Sequence, residues 1–168
     1  MALIRMDIKT IIVGGGPVAS LIVLQPRGVN DGTSVQLPIR IGPIEATAIS
    51  MGVGGDSPER PMTHDLLAKT IKALDAKLVG VSIIDVSGTT FYATLMLANF
   101  AGIVVEVDAR PSDAIALAVR TGAPIYAEES VLETAAMPDF DAIDEAKKTQ
   151  DLEDFHSFVE NLSPEDFD

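Results

Sequence analysis

The stretch DARPSDAIALAVRTGAPIY, residues 108–126, decides the fold of this chain. A β-rich run leads into Asp108, and Pro111 suits the first position of a helix because its missing N–H would be unpaired there. The small and aliphatic residues that follow predict an alanine-rich helix that packs closely against a sheet. Gly122 favours a left-handed stop and Pro124 prevents continuation, so the helix should end between them.

Polar side chains gather where this helix begins. They are Asp108, Arg110, Ser112 and Asp113. Asp113 lies in the first turn, where a carboxylate interacts favourably with the positive end of the helix dipole. The residues alone leave two interpretations open. The cluster is either a ligand site or a network of ion pairs and caps that fixes the corner between strand and helix.

A second strand–helix unit repeats this pattern. GPIEATAI (42–49) matches RPSDAIAL (110–117) as x-Pro-x-acid-Ala-x-Ala-aliphatic. Shared rules for starting a helix would explain the match. So would an internal duplication in which Glu45 and Asp113 occupy equivalent positions of two facing helices. We take the second explanation as the working hypothesis, with the Arg110 guanidinium in the same pocket as the two acids.

The rest of the chain predicts further strands and one long helix. Strands are expected at residues 1–13, 18–24, 35–41, 78–86, 89–97 and 103–107, and a short strand followed by an acidic helix at 126–135. A triple glycine at 14–16 indicates a hairpin turn, because a phosphate-binding loop would end in Gly-Lys-Ser/Thr and lead into a helix. The order predicts an α+β fold with a mixed, largely antiparallel sheet and packed helices.

An amphipathic helix is predicted at residues 63–77, with Thr63 as its cap. Its expected apolar face consists of Leu66, Leu67, Thr70, Ile71 and Leu74. His64 and Asp65 lie in its first turn, where the histidine is either a general acid or base or a residue of the capping turn.

Charge divides the chain in two. Residues 1–127 hold 11 acids and 10 bases, whereas residues 128–168 hold 14 acids and 2 bases, which together give the net charge of −13. We therefore expect one domain at residues 1–136 and an acidic tail at residues 137–168. The tail carries a short helical stripe of Leu152, Phe155, Phe158 and Val159. It is expected either to remain solvated or to contact the body or a protein partner.

Composition excludes several classes of protein. The chain has no cysteine, which excludes a disulfide scaffold and cysteine-ligated zinc. No apolar run approaches the ~20 residues of a membrane span, and no signal peptide is evident, so we expect a cytoplasmic protein that makes no membrane contact. A dinucleotide fingerprint and a nucleophile motif are also missing, and no organic cofactor is expected.

Four motifs, taken in order, resemble the bifunctional nuclease family. They are LPIRIGPIEA (37–46), RPMTHDLL (60–67), GTTFYA (88–93) and DARPSDAIALA (108–118). The resemblance covers about residues 5–135 and implies a compact α+β domain that tends to form homodimers and cleaves DNA and RNA. The UvrB/UvrC-type motif that often follows this domain in the family is not evident, and the acidic tail stands in its place.

Hydrolysis of a phosphodiester suggests roles for the candidate residues. The reaction needs an activated water and stabilisation of charge on the phosphoryl oxygens. Mg²⁺ or Mn²⁺ prefers oxygen ligands, and the candidate ligands are Glu45, Asp108 and Asp113. Arginine binds phosphate in a bidentate manner, and the candidate substrate contacts are Arg40, Arg110, Arg120 and Ser112. The candidate catalytic residues are His64, Asp65 and Asp113, and His64 paired with Asp65 could move protons.

Two classes of function remain open at this stage. One is a metal-assisted nuclease that acts on DNA or RNA. The other is a non-catalytic regulatory module that binds nucleic acid or protein, which the pI near 4.4 and the low basic content favour. A groove lined by arginines would support the first class, and arginines buried in ion pairs would support the second.

Overall fold

The computed structural model describes residues 2–28, 35–55 and 58–138. Within these ranges the chain forms eight strands and four helices. The strands are β1 (Leu3–Ile12), β2 (Ser20–Pro26), β3 (Val35–Ile41), β4 (Lys77–Ser87), β5 (Thr90–Ala98), β6 (Val104–Ala109), β7 (Ile125–Glu128) and β8 (Met137–Pro138). The helices are α1 (Pro43–Gly54), α2 (Thr63–Ala73), α3 (Pro111–Thr121) and α4 (Glu129–Ala135).

The strands form one sheet in the order β6-β5-β4-β7-β1-β2-β3-β8. Every neighbouring pair is antiparallel except β4 and β7, which are parallel because α3 crosses between β6 and β7. The predicted α+β class with a mixed, largely antiparallel sheet is confirmed. The two-residue strand β8 was not predicted, and it pairs Met137 and Pro138 with the start of β3.

Helix α3 is the centre of the hydrophobic core. Seven of its eleven residues are buried, from Pro111 to Ala118 with only Asp113 partly exposed. Its small side chains allow the close approach to the sheet that the sequence predicted, and it packs on β4 and β5. Val81, Ile83, Ala93 and Leu95 of those strands are buried beneath it. Because packing in such a core is dense, the position of the first turn of α3 is tightly fixed.

Helices α1 and α3 have matching ends. Each begins with a proline after an extended residue, each has an acid at its third position, and each ends at a left-handed glycine. These glycines are Gly55 with φ 72° and Gly122 with φ 69°, a conformation in which a side chain would be strained. The two helices also pack on each other. The repeat seen in the sequence therefore corresponds to two similar helices in contact.

Helix α2 differs from its prediction in two respects. It ends at Ala73 rather than residue 77, because Asp75 takes a left-handed backbone with φ 53°. Its N-cap is Met62, and the capping hydrogen bond runs from the Met62 N–H to the Asp65 carboxylate, so Thr63 is the first helical residue and not the cap. Of the expected apolar face only Ile71 is buried, and Leu66, Leu67 and Leu74 remain exposed although α2 packs on α3.

The acidic tail lies outside the described residues from residue 139 onwards, together with its predicted helix. Within the ranges that are described, no helix combines the length and the apolarity needed to cross a membrane.

Candidate functional site

The guanidinium of Arg110 joins the starts of α1 and α3. Its Nε and Nη2 donate to the two carboxylate oxygens of Asp113 at 2.7 and 3.1 Å, and its Nη1 donates to Glu45 Oε1 at 3.1 Å. Three of the five guanidinium N–H groups are used in this way, which leaves two for another acceptor. The Arg110 side chain is 64% exposed, so a ligand in solvent can reach it.

His64 extends this cluster from the start of α2. Its Nε2 lies 3.0 Å from Asp113 Oδ1, and its side chain is only 16% exposed. A histidine whose Nε2–H donates to a carboxylate presents Nδ1 as a proton acceptor. We define the polar cluster as Glu45, His64, Arg110 and Asp113. It draws on the first turns of three helices, which the packing of α1 and α2 against α3 brings together.

Mutual hydrogen bonding keeps the cluster charged. Burial opposes ionisation of Asp113, but hydrogen bonds from Arg110 and His64 outweigh it, so the pKa of Asp113 lies below its ordinary value. The hydrogen bond and charge of Asp113, followed by those of Glu45, raise the pKa of Arg110. The Asp113 carboxylate is therefore ionised beside a fixed cation near neutral pH.

A cleft of about 650 Å³ opens beside the polar cluster and is lined by Glu45 and Arg110, whereas His64 lines a separate cavity of about 350 Å³ between α1 and the start of α2. Arg110 and Glu45 form one wall, together with the starts of α1 and α3, and Arg40 and Ser112 also line it. Arg40 is exposed on β3, whereas Ser112 is buried at the second position of α3. Two helix N-termini and two arginines around one cleft make a suitable environment for an anionic ligand.

Comparison with known proteins gives this geometry a family context. The family model of the bifunctional nuclease domain matches residues 24–139, which include both proline-initiated helices and the whole polar cluster. The chain belongs to the bifunctional nuclease domain family. Two proteins of Mycobacterium tuberculosis, one from strain CDC 1551 / Oshkosh and one from strain ATCC 25618 / H37Rv, are each 43% identical over 135 residues. The match covers 78% of this chain and 80% of each relative, and both relatives are described as uncharacterized proteins.

Two of the predicted site residues pair with each other rather than with the cluster. Arg120 Nε donates to Asp65 Oδ1 at 2.7 Å, and Arg120 Nη1 donates to the carbonyl oxygen of Ala116. The Arg120 side chain is 9% exposed, so it is poorly placed to bind substrate. The hydrogen bond from the Met62 N–H is the main reason why the pKa of Asp65 is lowered, with Arg120 next. The bifunctional nuclease domain therefore pairs His64 with Asp113, and not with Asp65 as the sequence suggested.

Asp108 also lies apart from the polar cluster. Asp108 lies on β6 opposite Thr94 of β5, and its neighbour Ala109 is opposite the buried Ala93. Since successive side chains of a strand point to opposite faces, Asp108 points away from the helices. The structure thus brings together Glu45 and Asp113 of the three predicted metal ligands, but not Asp108.

The polar cluster is a poor fit to a carboxylate metal centre. The Arg110 guanidinium lies between Glu45 and Asp113, where a cation shared by the two carboxylates would have to bind. Across residues 2–28, 35–55 and 58–138, no group of three or more metal-ligating side chains comes together. Dependence on Mg²⁺ or Mn²⁺ remains a prediction from the sequence.

The opposite wall of the cleft was not predicted from the sequence. It consists of the β1–β2 turn, Gly14 to Ser20, and the β4–β5 turn, Thr89 to Phe91. Both were identified only as hairpin turns, because a glycine-rich turn carries no signal for the cleft that it faces. Ser20 is buried and accepts a hydrogen bond from the Gly14 N–H at 3.0 Å, which fixes the first of these turns against the cleft.

Proposed function

We propose that this bifunctional nuclease domain hydrolyses phosphodiester bonds in DNA or RNA at the cleft beside the polar cluster. The observation that carries the proposal is an exposed guanidinium with two free N–H groups, held next to a histidine–aspartate pair. Family membership supports a role connected with nucleic acids. The cleft supports the binding of a phosphate.

Arg110 would bind and stabilise the phosphoryl group. Its two N–H groups that are not bonded to Glu45 or Asp113 are available to the phosphoryl oxygens. Because the two carboxylates already orient the guanidinium, little reorganisation is needed when charge develops in the transition state. Arg40 lines the same cleft and would hold an adjacent phosphate of the strand.

His64 would move the proton. With Nε2–H donated to Asp113, Nδ1 can accept a proton from the attacking water, and the Asp113 carboxylate would stabilise the imidazolium that forms. The protonated histidine could then give its proton to the leaving oxygen. These roles use only the residues that the structure brings together. They omit the roles that the sequence predicted for Asp65, Asp108 and Arg120.

A cleavage assay on single-stranded DNA, duplex DNA and RNA tests the proposal. His64→Asn should lower the rate by about 10²- to 10⁴-fold, the usual contribution of a general acid or base. His156→Asn is the matched control, because His156 is the second of the two histidines and lies in the acidic tail. Equal rates for wild type and His64→Asn would contradict the proposal, and parallel reactions with EDTA, Mg²⁺ and Mn²⁺ would test metal dependence.

A second candidate function follows from the ion pairs themselves. Both carboxylates of the polar cluster are bonded to Arg110, and Arg120 is buried against Asp65. A module of this kind would bind nucleic acid or protein for regulation and would not cleave. Tight binding of an oligonucleotide without turnover, abolished in an Arg40→Ala variant, would favour this function over hydrolysis.

We also propose that the protein is a homodimer formed through β6. This strand is one edge of the sheet, and its apolar side chains Val104, Val105 and Val107 are all exposed. An exposed edge with unpaired backbone groups can add a strand of another chain. Antiparallel pairing of β6 with its copy would join two sheets about a twofold axis. The cytoplasmic location expected from the sequence remains a prediction.

A further inference from the structure

Helix α2 presents leucines to solvent although it is amphipathic. Leu66 is 56% exposed and Leu74 is 73% exposed, and Leu67 is exposed as well. Neighbours four residues apart lie on the same side of a helix, so Leu66, Thr70 and Leu74 form a stripe. Nothing among the described residues covers this stripe. An apolar stripe of this kind commonly indicates a docking surface.

A groove lined by lysines lies on a different side of α2, and none of the exposed leucines lines it. Its volume is about 760 Å³, and Lys69, Lys72 and Lys77 lie around it. Its floor is apolar and includes Ile71, Leu78 and Val119. We call this surface the lysine groove. Because it combines three cations with an apolar floor, it suits a ligand that combines carboxylates with apolar side chains.

The acidic tail has the composition that the lysine groove requires. Residues 139–168 hold 11 acids and 2 lysines, and they also hold four of the six phenylalanines of the chain. Aromatic residues in such an acidic segment are unusual for a purely solvated appendage. The acids and the phenylalanines lie close together in the sequence, as in DLEDFHSFVE at 151–160.

We propose that residues 139–168 of the acidic tail dock on the lysine groove of the same chain. Phenylalanines such as Phe155 and Phe158 cover the apolar floor, while neighbouring carboxylates pair with Lys69 and Lys72. The proposal concerns an interaction surface and does not depend on whether the domain is a nuclease.

Tethering favours the tail over a free acidic partner. The described chain reaches Pro138, and the 30 residues that follow it can span roughly 100 Å when extended. A compact domain of this size has a radius of gyration of only about 14 Å. The tail can therefore reach any surface of its own domain. Because it is tethered, its effective concentration there is of millimolar order.

Carbodiimide coupling of the full chain tests the proposal. The reagent joins a lysine amine to a carboxylate that contacts it, and mass spectrometry identifies the joined residues. Lys69, Lys72 and Lys77 should couple to acids in residues 139–168 in high yield. The yield should fall as salt is raised, because the ion pairs are screened. An equal mixture of isotopically labelled and unlabelled protein should give couplings within one chain only.

A variant of the tail provides the decisive comparison. Phe155→Ser with Phe158→Ser should lower the coupling yield by at least about tenfold, since burial of two aromatic rings is lost. Amide exchange of residues 66–74 should become faster in this variant. Phe100→Ser is the matched control, because Phe100 is 86% exposed in the β5–β6 turn, and it should leave coupling and exchange unchanged.

Three results would overturn the proposal. The first is the absence of coupling between the tail and the three groove lysines. The second is coupling only between differently labelled chains, which would make a second copy the occupant. The third is unchanged coupling and amide exchange in the double phenylalanine variant. If an oligonucleotide protects the groove lysines from the reagent while the tail does not protect them, that result would assign the groove to nucleic acid.

Discussion

Glu45 and Asp113 occupy the same position, the third, of two proline-initiated helices, and both accept hydrogen bonds from Arg110. The residues are 68 positions apart in the sequence, yet one guanidinium joins them. Helix α3 supplies two of the three groups and α1 supplies the other. The starts of both helices are thereby held at one wall of the cleft.

Replacement of Arg110 should affect function more than replacement of another exposed arginine. Arg110→Ala removes the two N–H groups that are free to bind a phosphoryl oxygen, and we expect cleavage to fall by about 10²- to 10³-fold, as for the loss of a donor to the transition state. Arg27→Ala is the matched control, because Arg27 is also exposed and also pairs with an aspartate, Asp7. It should retain nearly full activity. Equal losses in the two variants would indicate a general effect of charge.

Because the pKa of Asp113 is lowered, the stability that this residue contributes to the fold should be lost in acid. Burial opposes ionisation, but hydrogen bonds from Arg110 and His64 lower the pKa of Asp113 below the reference value of 3.8. A carboxylate of lowered pKa stabilises the fold at pH values above its unfolded pKa, and this contribution is lost as pH falls through the folded pKa. Asp113→Asn should therefore be less stable than wild type at pH 7, and the difference should narrow below about pH 4.

Urea unfolding at several pH values measures this dependence. Asp108→Asn controls for the removal of one negative charge, because Asp108 lies on β6 outside the polar cluster. A gap between wild type and Asp113→Asn that stays constant from pH 7 to about pH 3 would contradict the proposed linkage.

The sequence predicted the elements that build the site better than the site itself. The repeat of proline, acid and alanine identified α1 and α3 and correctly placed Glu45 and Asp113 at equivalent positions, because starting a helix is governed by local rules. The pairing of His64 was wrong. Asp65 is adjacent in sequence, but its carboxylate is used to cap α2 and to bind Arg120, and only the packing of α2 on α3 turns His64 towards Asp113.

The predicted apolar face of α2 shows a different limit of sequence analysis. Leu66, Leu67 and Leu74 fit a helical stripe, and such a stripe normally faces the core. In the structure α2 packs on α3 with Ile71 as its one buried residue, and the leucines are exposed. Periodicity identifies an apolar face, but it does not specify what covers it. The same limit applies to Asp108, whose direction depends on strand register.

Close packing of α1 on α3 should be disrupted by a side chain at Gly52. A Cβ atom there would lie 2.5 Å from Val119 Cγ2 and 2.7 Å from Arg120 Nη1. We expect Gly52→Val to destabilise the protein by about 1–3 kcal/mol, the usual cost of overpacking. Gly15→Val is the control, because a Cβ at Gly15 has no neighbour within 4 Å. Thermal unfolding that gives Gly52→Val the same stability as Gly15→Val would contradict this packing.

The exposed edge of β6 should control the oligomeric state. Val104→Lys places a charge on the edge strand that is proposed to pair with its copy, and charged edge strands oppose such pairing. We expect the dissociation constant of the homodimer to rise by at least about tenfold, since apolar burial is replaced by burial of an unpaired charge. Val13→Lys is a matched control, because Val13 and Val104 are both 53% exposed and Val13 lies after β1, away from the β6 edge. Sedimentation over a range of protein concentrations measures both variants. A monomeric wild type, or a dimer that Val104→Lys leaves intact, would show that β6 is not the interface.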